Sequence, residues 1–141
     1  MTMQGKRWLG LARVSLALIA LFAGGCGQTG STSDGDAQAV ATQFLDELRA
    51  GRLEPAWQGT SVEFKSLMGA GSLRDYVKRH PALKANAEYS ESRSIDRGGP
   101  ALTECLFHAT TRVRGKSVPA TIKVILASGA EGWKVEQLIV E

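Results

Sequence analysis

The chain has 141 residues, 17 of them Lys or Arg and 14 Asp or Glu, with a formal net charge of +3, and this length predicts one small domain. The excess positive charge comes from Lys6, Arg7 and Arg13, because no acidic residue lies in the first 25 positions and the remaining basic and acidic residues are equal in number. The charge therefore argues against a nucleic-acid-binding protein, which would need a positive field to attract phosphates.

The first 25 residues are typical of a cleaved signal peptide. Positive residues precede an apolar run from Val14 to Ala23, and the small residues Gly24 and Gly25 follow it. This run is too short to remain in a bilayer as a spanning helix, which needs about 20 apolar residues. The sequence therefore predicts an exported protein.

The next residue favours a lipid anchor. Ala23, Gly24, Gly25 and Cys26 resemble the lipobox of bacterial lipoproteins, although that family prefers Leu where Ala23 stands. The resemblance implies cleavage before Cys26 and its acylation with palmitate-type chains, and two or three chains would hold the protein stably in a membrane. Gly27 resembles the case sorted to the outer membrane. This implies a cell-envelope protein, facing the periplasm if the cell has two membranes.

Two alternatives to the lipid anchor stay open. The segment could be a plain secretory signal cut near Ala23, or Cys26 could form a disulfide with Cys105, the only other cysteine. Residues 27–36 are all Gly, Ser, Thr, Gln or Asp, which cannot bury apolar surface. Residues 26–36 are therefore predicted to be a lipid-anchored flexible linker, and residues 37–141 the folded domain.

The domain is predicted to begin with helices. Asp36 and Gly51 would cap a helix over residues 37–50, whose core-facing side holds Val40, Ala41, Phe44, Leu45 and Leu48. Leu53–Gln58 is a second helix. The patterns Thr60-x-x-Glu63 and Ser72-x-x-Asp75 predict capping boxes for two more, the last of which ends at His80-Pro81.

From about residue 86 the apolar period changes to two, which predicts strands. The predicted strands are Ala87–Ile95, Leu102–Arg114, a segment around Val118 to Leu126, and Trp133–Val140, with turns at 97–100, Gly115-Lys116 and 129–132. Short connections favour an antiparallel meander. The sequence thus predicts an α+β fold, with N-terminal helices packed on a curved antiparallel sheet of about four strands.

This order of elements resembles a known family. Short helices ending in Tyr76-Val77-x-x-His80-Pro81, and strands closing on Gly132-Trp133-Lys134-Val135, resemble the NTF2-like proteins of cystatin-like fold, especially small lipoproteins of unassigned function. The resemblance covers residues 37–141. It implies a cone of helices around a bent sheet, with a pocket at the wide end and frequent pairing of sheets between two copies.

Enzymes of that family, dehydratases and isomerases, use Asp, His and Tyr in the cone. Here His80 ends a helix, Asp75 is predicted to cap one, and His108 points away from the face that Cys105 and Phe107 share. The chain also contains no metal-ligand spacing and no cofactor motif. These observations predict a protein without catalytic residues, metal or cofactor.

The expected function is a non-catalytic binding or assembly module. Trp57, Phe64, Tyr76 and Phe107 are the candidate pocket lining, with core packing as the alternative role. The expected partners are the membrane through the lipid, a small apolar ligand, and an envelope protein or a second copy in a homodimer, but no nucleic acid. The alternative function is a dehydratase-like or isomerase-like cone-pocket enzyme that acts on a small apolar molecule.

Two surfaces could serve assembly or membrane contact. An outward apolar face would hold residues out of phase with the inward positions of their strands, namely Leu106, Ile125, Leu138 and Val140. A basic patch at a hairpin tip holds Arg112, Arg114 and Lys116. Such a patch is either a solvated turn or a contact for acidic headgroups.

Overall fold

The computed structural model describes residues 34–141, so the predicted signal peptide, Cys26 and most of the predicted linker lie outside the described residues. The helices are α1 (Asp34–Arg49), α2 (Leu53–Gln58), α3 (Val62–Leu67) and α4 (Ala70–Arg79), followed by a 3-10 helix (Pro81–Lys84). The strands are β1 (Ala87–Ile95), β2 (Leu102–Val113), β3 (Lys116–Gly129) and β4 (Gly132–Val140). They form one antiparallel sheet in the order β1-β2-β3-β4, which confirms the predicted α+β meander.

The long helix α1 includes the last three residues of the predicted linker. Asp36 therefore lies in the first turn of the helix and is not its N-cap. A carboxylate in the first turn is stabilised by the positive end of the helix dipole, which accounts for acidic residues inside the helix as well as before it. Gly51 ends the helix as predicted, at a φ of +77° that glycine adopts without steric cost.

The N-terminus of α3 corrects a predicted cap. The N-cap is Ser61, whose Oγ accepts a hydrogen bond from the backbone N–H of Phe64 at 3.0 Å. The Thr60 hydroxyl instead donates to the carbonyl of Trp57, at the end of the preceding helix. The prediction of a capping box from Thr60 to Glu63 is therefore wrong by one residue, because two adjacent hydroxyls compete and each satisfies a different helix end.

The cap predicted for the next helix is also wrong. Helix α4 begins after Gly69, whose extended backbone leads into the helix without a side-chain cap. Ser72 is therefore inside the first turn, and the carboxylate of Asp75 lies 3.8 Å from the amino group of Lys78 on the exposed side. His80 ends α4, as predicted, and a 3-10 helix that was not predicted starts at Pro81.

The β2–β3 hairpin turns one residue earlier than predicted. Val113 pairs with Lys116, which leaves Arg114 and Gly115 as the two turn residues, and their φ angles are +52° and +80°. Two-residue turns with positive φ at both positions match the right-handed twist of the strands, so this turn is favoured over the predicted Gly115-Lys116.

The core lies between the helices and one face of the sheet, which we call the inner face. Helix α1 contributes its predicted apolar side, and α3 and α4 contribute Phe64, Leu73 and Val77. The inner face contributes residues of β2, β3 and β4, namely Cys105, Phe107, Ala109, Ile122, Val124, Leu126, Trp133, Val135 and Leu138. This alternation confirms the predicted orientation of β2 and β3, and it leaves His108 exposed on the outer face.

A bulge in β4 corrects part of the predicted outward apolar face. Leu126 pairs with Val135 whereas Ile125 pairs with Gln137, so one extra residue of β4 stands between them. The extra residue reverses the phase of the strand, and Leu138 and Val140 consequently pack on the core side. Leu106 and Ile125 do lie outside the core cluster, but they are only 7% and 5% exposed.

Candidate binding site

The four residues predicted to line a cone pocket divide into two pairs. Phe64 and Phe107 are buried in the core. The Phe64 ring meets the edge of Phe44 at a centroid distance of 6.1 Å, and the Phe107 ring meets Tyr89 at 5.7 Å. The gap beside Phe107 measures about 10 Å³, which is about the space of a single water molecule. These rings therefore pack as core, and their role in a pocket stays a prediction.

Trp57 and Tyr76 are half-buried and use their polar ends to connect elements. The indole N–H of Trp57 donates to the carbonyl of Met68 at 2.8 Å. The Tyr76 hydroxyl accepts a hydrogen bond from the backbone N–H of Val140 at 3.2 Å. Both polar groups are thus engaged in tertiary contacts that hold α2 to the α3–α4 connection and α4 to β4. A ligand would have to compete with these bonds to use either group.

The two histidines do not come together. His80 lies at the end of α4, where its ring is 4.2 Å from the ring of Tyr76. His108 is on the outer face of the sheet, paired across the strands with Glu88 and Thr121. In the described part of the chain, no three His, Cys, Asp or Glu side chains are grouped so that they could hold a metal ion.

Cys105 is fully buried on the inner face. Burial raises the pKa of its thiol, and this exceeds the lowering effect of a hydrogen bond with the Ser92 hydroxyl, at 3.4 Å. The carboxylates of Asp34 and Glu104 raise the pKa further. The thiol therefore stays protonated at neutral pH, and this disfavours a nucleophilic role.

An opening wider than the gap at Phe107 lies where the β1–β2 connection meets the start of α1. It is a groove of about 470 Å³, within the size range of small-molecule sites. Apolar and polar residues line it together: Asp34, Ser94, Ile95, Asp96, Gly99, Pro100, Ala101, Leu102, Thr103 and Trp133. The groove is open to solvent and is built by the ends of β1, β2 and β4.

Trp133, one of the residues that line the groove, has an unused hydrogen-bond donor. The residue is 7% exposed, and its Nε1 is enclosed without a hydrogen-bond partner. A buried N–H that lacks a partner loses its hydration without compensation, at a cost of about 1 to 3 kcal/mol. A bound molecule with an acceptor atom would recover part of this free energy once a shift of neighbouring side chains exposes Nε1.

The charges around the groove are negative. Asp34 and Asp96 both belong to its lining, which contains no basic side chain among the described residues. The Asp96 carboxylate accepts a hydrogen bond from the backbone N–H of Gly98 at 3.0 Å, which orders the β1–β2 connection. Two carboxylates in a lining that has no basic side chain disfavour an anionic ligand.

Sequence reasoning predicts correctly that Trp133 is largely buried, since it follows a turn and shares a strand face with Val135. It does not find the groove. Thr103 and Asp34 are 30 and 99 positions away from Trp133 in the sequence. Strand pairing brings Thr103 near Trp133, and the packing of α1 on the sheet adds Asp34 to the same opening. No local pattern signals an N–H that lacks a partner, because that property depends on every neighbouring element.

Comparisons with known proteins show the fold. No protein-family model matches the chain, and no curated protein matches it. A crystal structure from Shewanella frigidimarina, named a "putative ketosteroid isomerase", is similar with a TM-score of 0.52 at 19% identity, over 74% of this chain and 94% of that one. An NTF2-like protein with a cystatin-like fold, from Novosphingobium aromaticivorans, has a TM-score of 0.47 at 8% identity, over 79% of this chain and 90% of that one.

At these identities the likeness shows the fold and nothing of the activity. The described helices and curled four-stranded antiparallel sheet have the arrangement of NTF2-like proteins, as the sequence resemblance predicts. Between residues 34 and 141, no helix is both long enough and apolar enough to span a bilayer.

Proposed function

We propose that this chain, whose fold is that of NTF2-like proteins, is a lipid-anchored cell-envelope protein that binds a small, largely apolar molecule without catalysing a reaction. The groove at Trp133 carries the binding half of the proposal, because it combines sufficient volume with a donor that has no partner. The signal peptide and the lipobox resemblance of residues 23–26 support the anchor at Cys26. The proposed location is the outer membrane, facing the periplasm, in a cell that has two membranes.

The chemistry of the lining selects the class of ligand. Ile95, Pro100 and Leu102 supply apolar walls, and Trp133 supplies one donor. A carbonyl or ether oxygen on an otherwise apolar skeleton would satisfy both. The carboxylates of Asp34 and Asp96 would repel a carboxylate or a phosphate. The proposed ligand is therefore a neutral apolar molecule with a single acceptor oxygen.

The groove does not enclose a titrating side chain of the kind that acid–base catalysis uses. Such catalysis needs a titrating group held within hydrogen-bond reach of the substrate, in a pocket that excludes water. Asp34 and Asp96 are both exposed at the rim, and His80 and His108 do not belong to the groove lining. The alternative, a dehydratase-like or isomerase-like enzyme, would require a carboxylate that contacts the bound molecule and accelerates its conversion.

The assembly hypothesis has less support from the sheet. Leu138 and Val140 pack on the core side, and Leu106 and Ile125 are buried. The outward apolar face predicted for pairing with a second copy or an envelope protein is therefore not an exposed surface. A homodimer or an envelope partner stays a prediction that sedimentation analysis of the purified protein can check.

A matched pair of ligands tests the proposed site. Camphor and bornane share one skeleton, but only camphor carries a carbonyl oxygen. We expect camphor to bind about tenfold more tightly by calorimetry, because its oxygen can accept the Trp133 N–H, a hydrogen bond worth about 1 kcal/mol or somewhat more. Trp133→Phe removes the N–H and should abolish the preference, whereas Trp57→Phe is the control and should retain it.

Equal affinity of the unaltered protein for the two molecules would refute the proposed ligand class. A preference that survives Trp133→Phe would place the binding site elsewhere. Conversion of camphor or of a related ketone at a rate that falls in Asp34→Asn or Asp96→Asn would favour the enzyme alternative.

A further inference from the structure

The β2–β3 hairpin carries a concentration of positive charge. No acidic residue lies between Glu104 and Glu131, although the chain beyond residue 25 has equal numbers of acidic and basic residues. At the tip, Arg112, Arg114 and Lys116 are all exposed. The five ion pairs of the described residues involve none of these three. Their charges are therefore available to a partner.

Exposed apolar side chains lie next to these cations. Val113 is 47% exposed and Val118 is 41% exposed, and both are among the few large apolar residues with this exposure. Val113 pairs with Lys116 and Val118 with Thr111, so the two valines are diagonal neighbours on one face of the hairpin. Cations flanking exposed apolar side chains suit the boundary between lipid headgroups and acyl chains.

The turn holds this arrangement in one geometry. Arg114 and Gly115 form a two-residue connection with positive φ at both positions, and the pairing from Leu102 to Val113 is continuous along β2 and β3. A short turn on paired strands loses little conformational freedom on binding. The tip therefore presents its charges to a surface without a large ordering cost.

We infer that the tip of the β2–β3 hairpin contacts an anionic lipid surface, with Arg112, Arg114 and Lys116 at the headgroups and Val113 and Val118 directed to the upper acyl chains. The inference rests on the proposed function in one respect: the anchor at Cys26 would keep the hairpin near a membrane. Anchoring makes a second, weak contact effective because it raises the local concentration of the hairpin at the lipid.

The two contacts would set the orientation of the domain. The tip is at the end of β2 opposite to the groove where Asp34 lies, and a 12-residue strand spans roughly 40 Å. Cys26 precedes Asp34 by eight residues. The lipid would hold the domain at the end where α1 begins, and the hairpin would hold it at the opposite end of β2. The strands of the sheet would then run roughly parallel to the membrane surface.

The experiment measures the contact of the hairpin tip with lipid by a fluorophore attached at the tip. In the full chain with Cys26→Ser, which cannot be acylated, an environment-sensitive fluorophore is attached at Ser117→Cys, since buried Cys105 is not accessible to the reagent. Contact is measured with vesicles of phosphatidylglycerol and phosphatidylcholine and with vesicles of phosphatidylcholine alone. We expect contact only with the anionic vesicles, and its loss in high salt.

Two triple variants separate a specific contact from net charge. Arg112→Gln, Arg114→Asn and Lys116→Gln together should reduce the docking equilibrium about 125-fold, since each cation near an anionic surface contributes about fivefold. The control removes three exposed cations from α4 and the 3-10 helix, by Arg74→Gln, Arg79→Gln and Lys84→Gln, and should change docking less than tenfold. Val113→Thr with Val118→Thr should weaken docking while leaving its salt dependence unchanged.

Equal losses in the two triple variants would overturn the inference, because they would show an effect of net charge alone. Equal contact with both kinds of vesicle would also overturn the inference. So would the absence of contact with either kind, and in that case an acidic protein surface would be the partner that fits the charges. This chain cannot be acylated, and its first 25 residues are the same in every variant, so a difference between the variants does not depend on the anchor. A failure of the anchor proposal is thus distinguishable from a failure of the hairpin contact.

Discussion

Trp133 combines two roles at the residue scale. Its indole is part of the core beside Val135, yet its N–H has no partner and its surface contributes to a groove. Natural cores usually satisfy a buried indole N–H, as Trp57 does with the Met68 carbonyl. This contrast between two tryptophans in one small domain supports the proposed binding role of Trp133.

Truncation of Trp133 should show its packing role. We expect Trp133→Ala to lower the free energy of unfolding by about 3 to 5 kcal/mol in urea denaturation, because a large buried side chain leaves a cavity. Trp133→Phe should cost much less, since it keeps an aromatic ring and removes an N–H that is unsatisfied in the folded state. A loss below about 1 kcal/mol in Trp133→Ala would show that the indole contributes little to the core.

Cys105 should make stability depend on pH in the alkaline range. Burial raises the pKa of its thiol in the folded state, so the unfolded chain releases the proton first as the pH rises. The buried, protonated thiol contributes fully to the free energy of unfolding below the pKa of about 8.5 that the thiol has in the unfolded chain. This contribution is lost progressively as the pH rises above that value. In Cys105→Ala, the decline between pH 8 and pH 10 should be shallower than in the unaltered protein. Parallel curves for the two proteins would contradict the raised pKa.

At the scale of elements, the short helices depend on single residues at their ends. Helix α3 has only six residues and one N-cap side chain, Ser61, so it has little cooperative helix stability of its own. Helix α4 starts without a side-chain cap and depends on its packing through Leu73 and Val77. The same residue type, serine, therefore has a different importance in the two helices.

A pair of serine substitutions tests this difference. Ser61→Ala should lower the free energy of unfolding by about 1 kcal/mol, because the N–H of Phe64 loses its acceptor. Ser72→Ala should be neutral within about 0.5 kcal/mol or slightly stabilising, because Ser72 is exposed within α4 and alanine favours helix. Thermal or urea unfolding of both variants is the measurement, and equal losses would contradict the observed start of α4.

At the scale of the whole molecule, the proposed anchor would determine where the groove and the hairpin act. Cys26 lies outside the described residues, and the folded domain starts by Asp34, so the proposed lipid would be joined to α1 by a short segment. The domain would then remain within a few tens of ångströms of the membrane. Both the groove and the basic hairpin would act on molecules at or near that surface.

Substitution of the proposed lipid site gives a direct test. Cys26→Ser should leave protein of precursor size and abolish partition into a detergent phase, because the thioether requires sulfur. Cys105→Ser is the control, and it should be processed and partitioned like the unaltered protein. Unchanged processing and partition in Cys26→Ser would refute the lipoprotein proposal and favour a plain secretory signal.

The sequence by itself determined the element types and their order. Period-3.6 and period-2 patterns predict the helices and the four-strand meander, because each element must bury one continuous side. His108 on the outer face and Trp133 in the core follow from strand alternation alone. Boundaries near Gly51 and His80 follow from the backbone preferences of glycine and of residues before proline.

Only the tertiary structure decided the details on which the site depends. The extra residue in β4 appears in the sequence as a change of apolar phase between Val135 and Leu138. Only the pairing of β3 with β4 shows that this change is a bulge that places Leu138 and Val140 in the core, and not an outward apolar face. Thr60 bonds to the end of α2 and Ser61 caps the start of α3, and this assignment depends on how the two helix ends lie next to each other. The groove depends on residues that meet only when α1 packs on the sheet. Pairing register and unsatisfied hydrogen bonds are properties of contacts distant in sequence, so a local pattern cannot encode them.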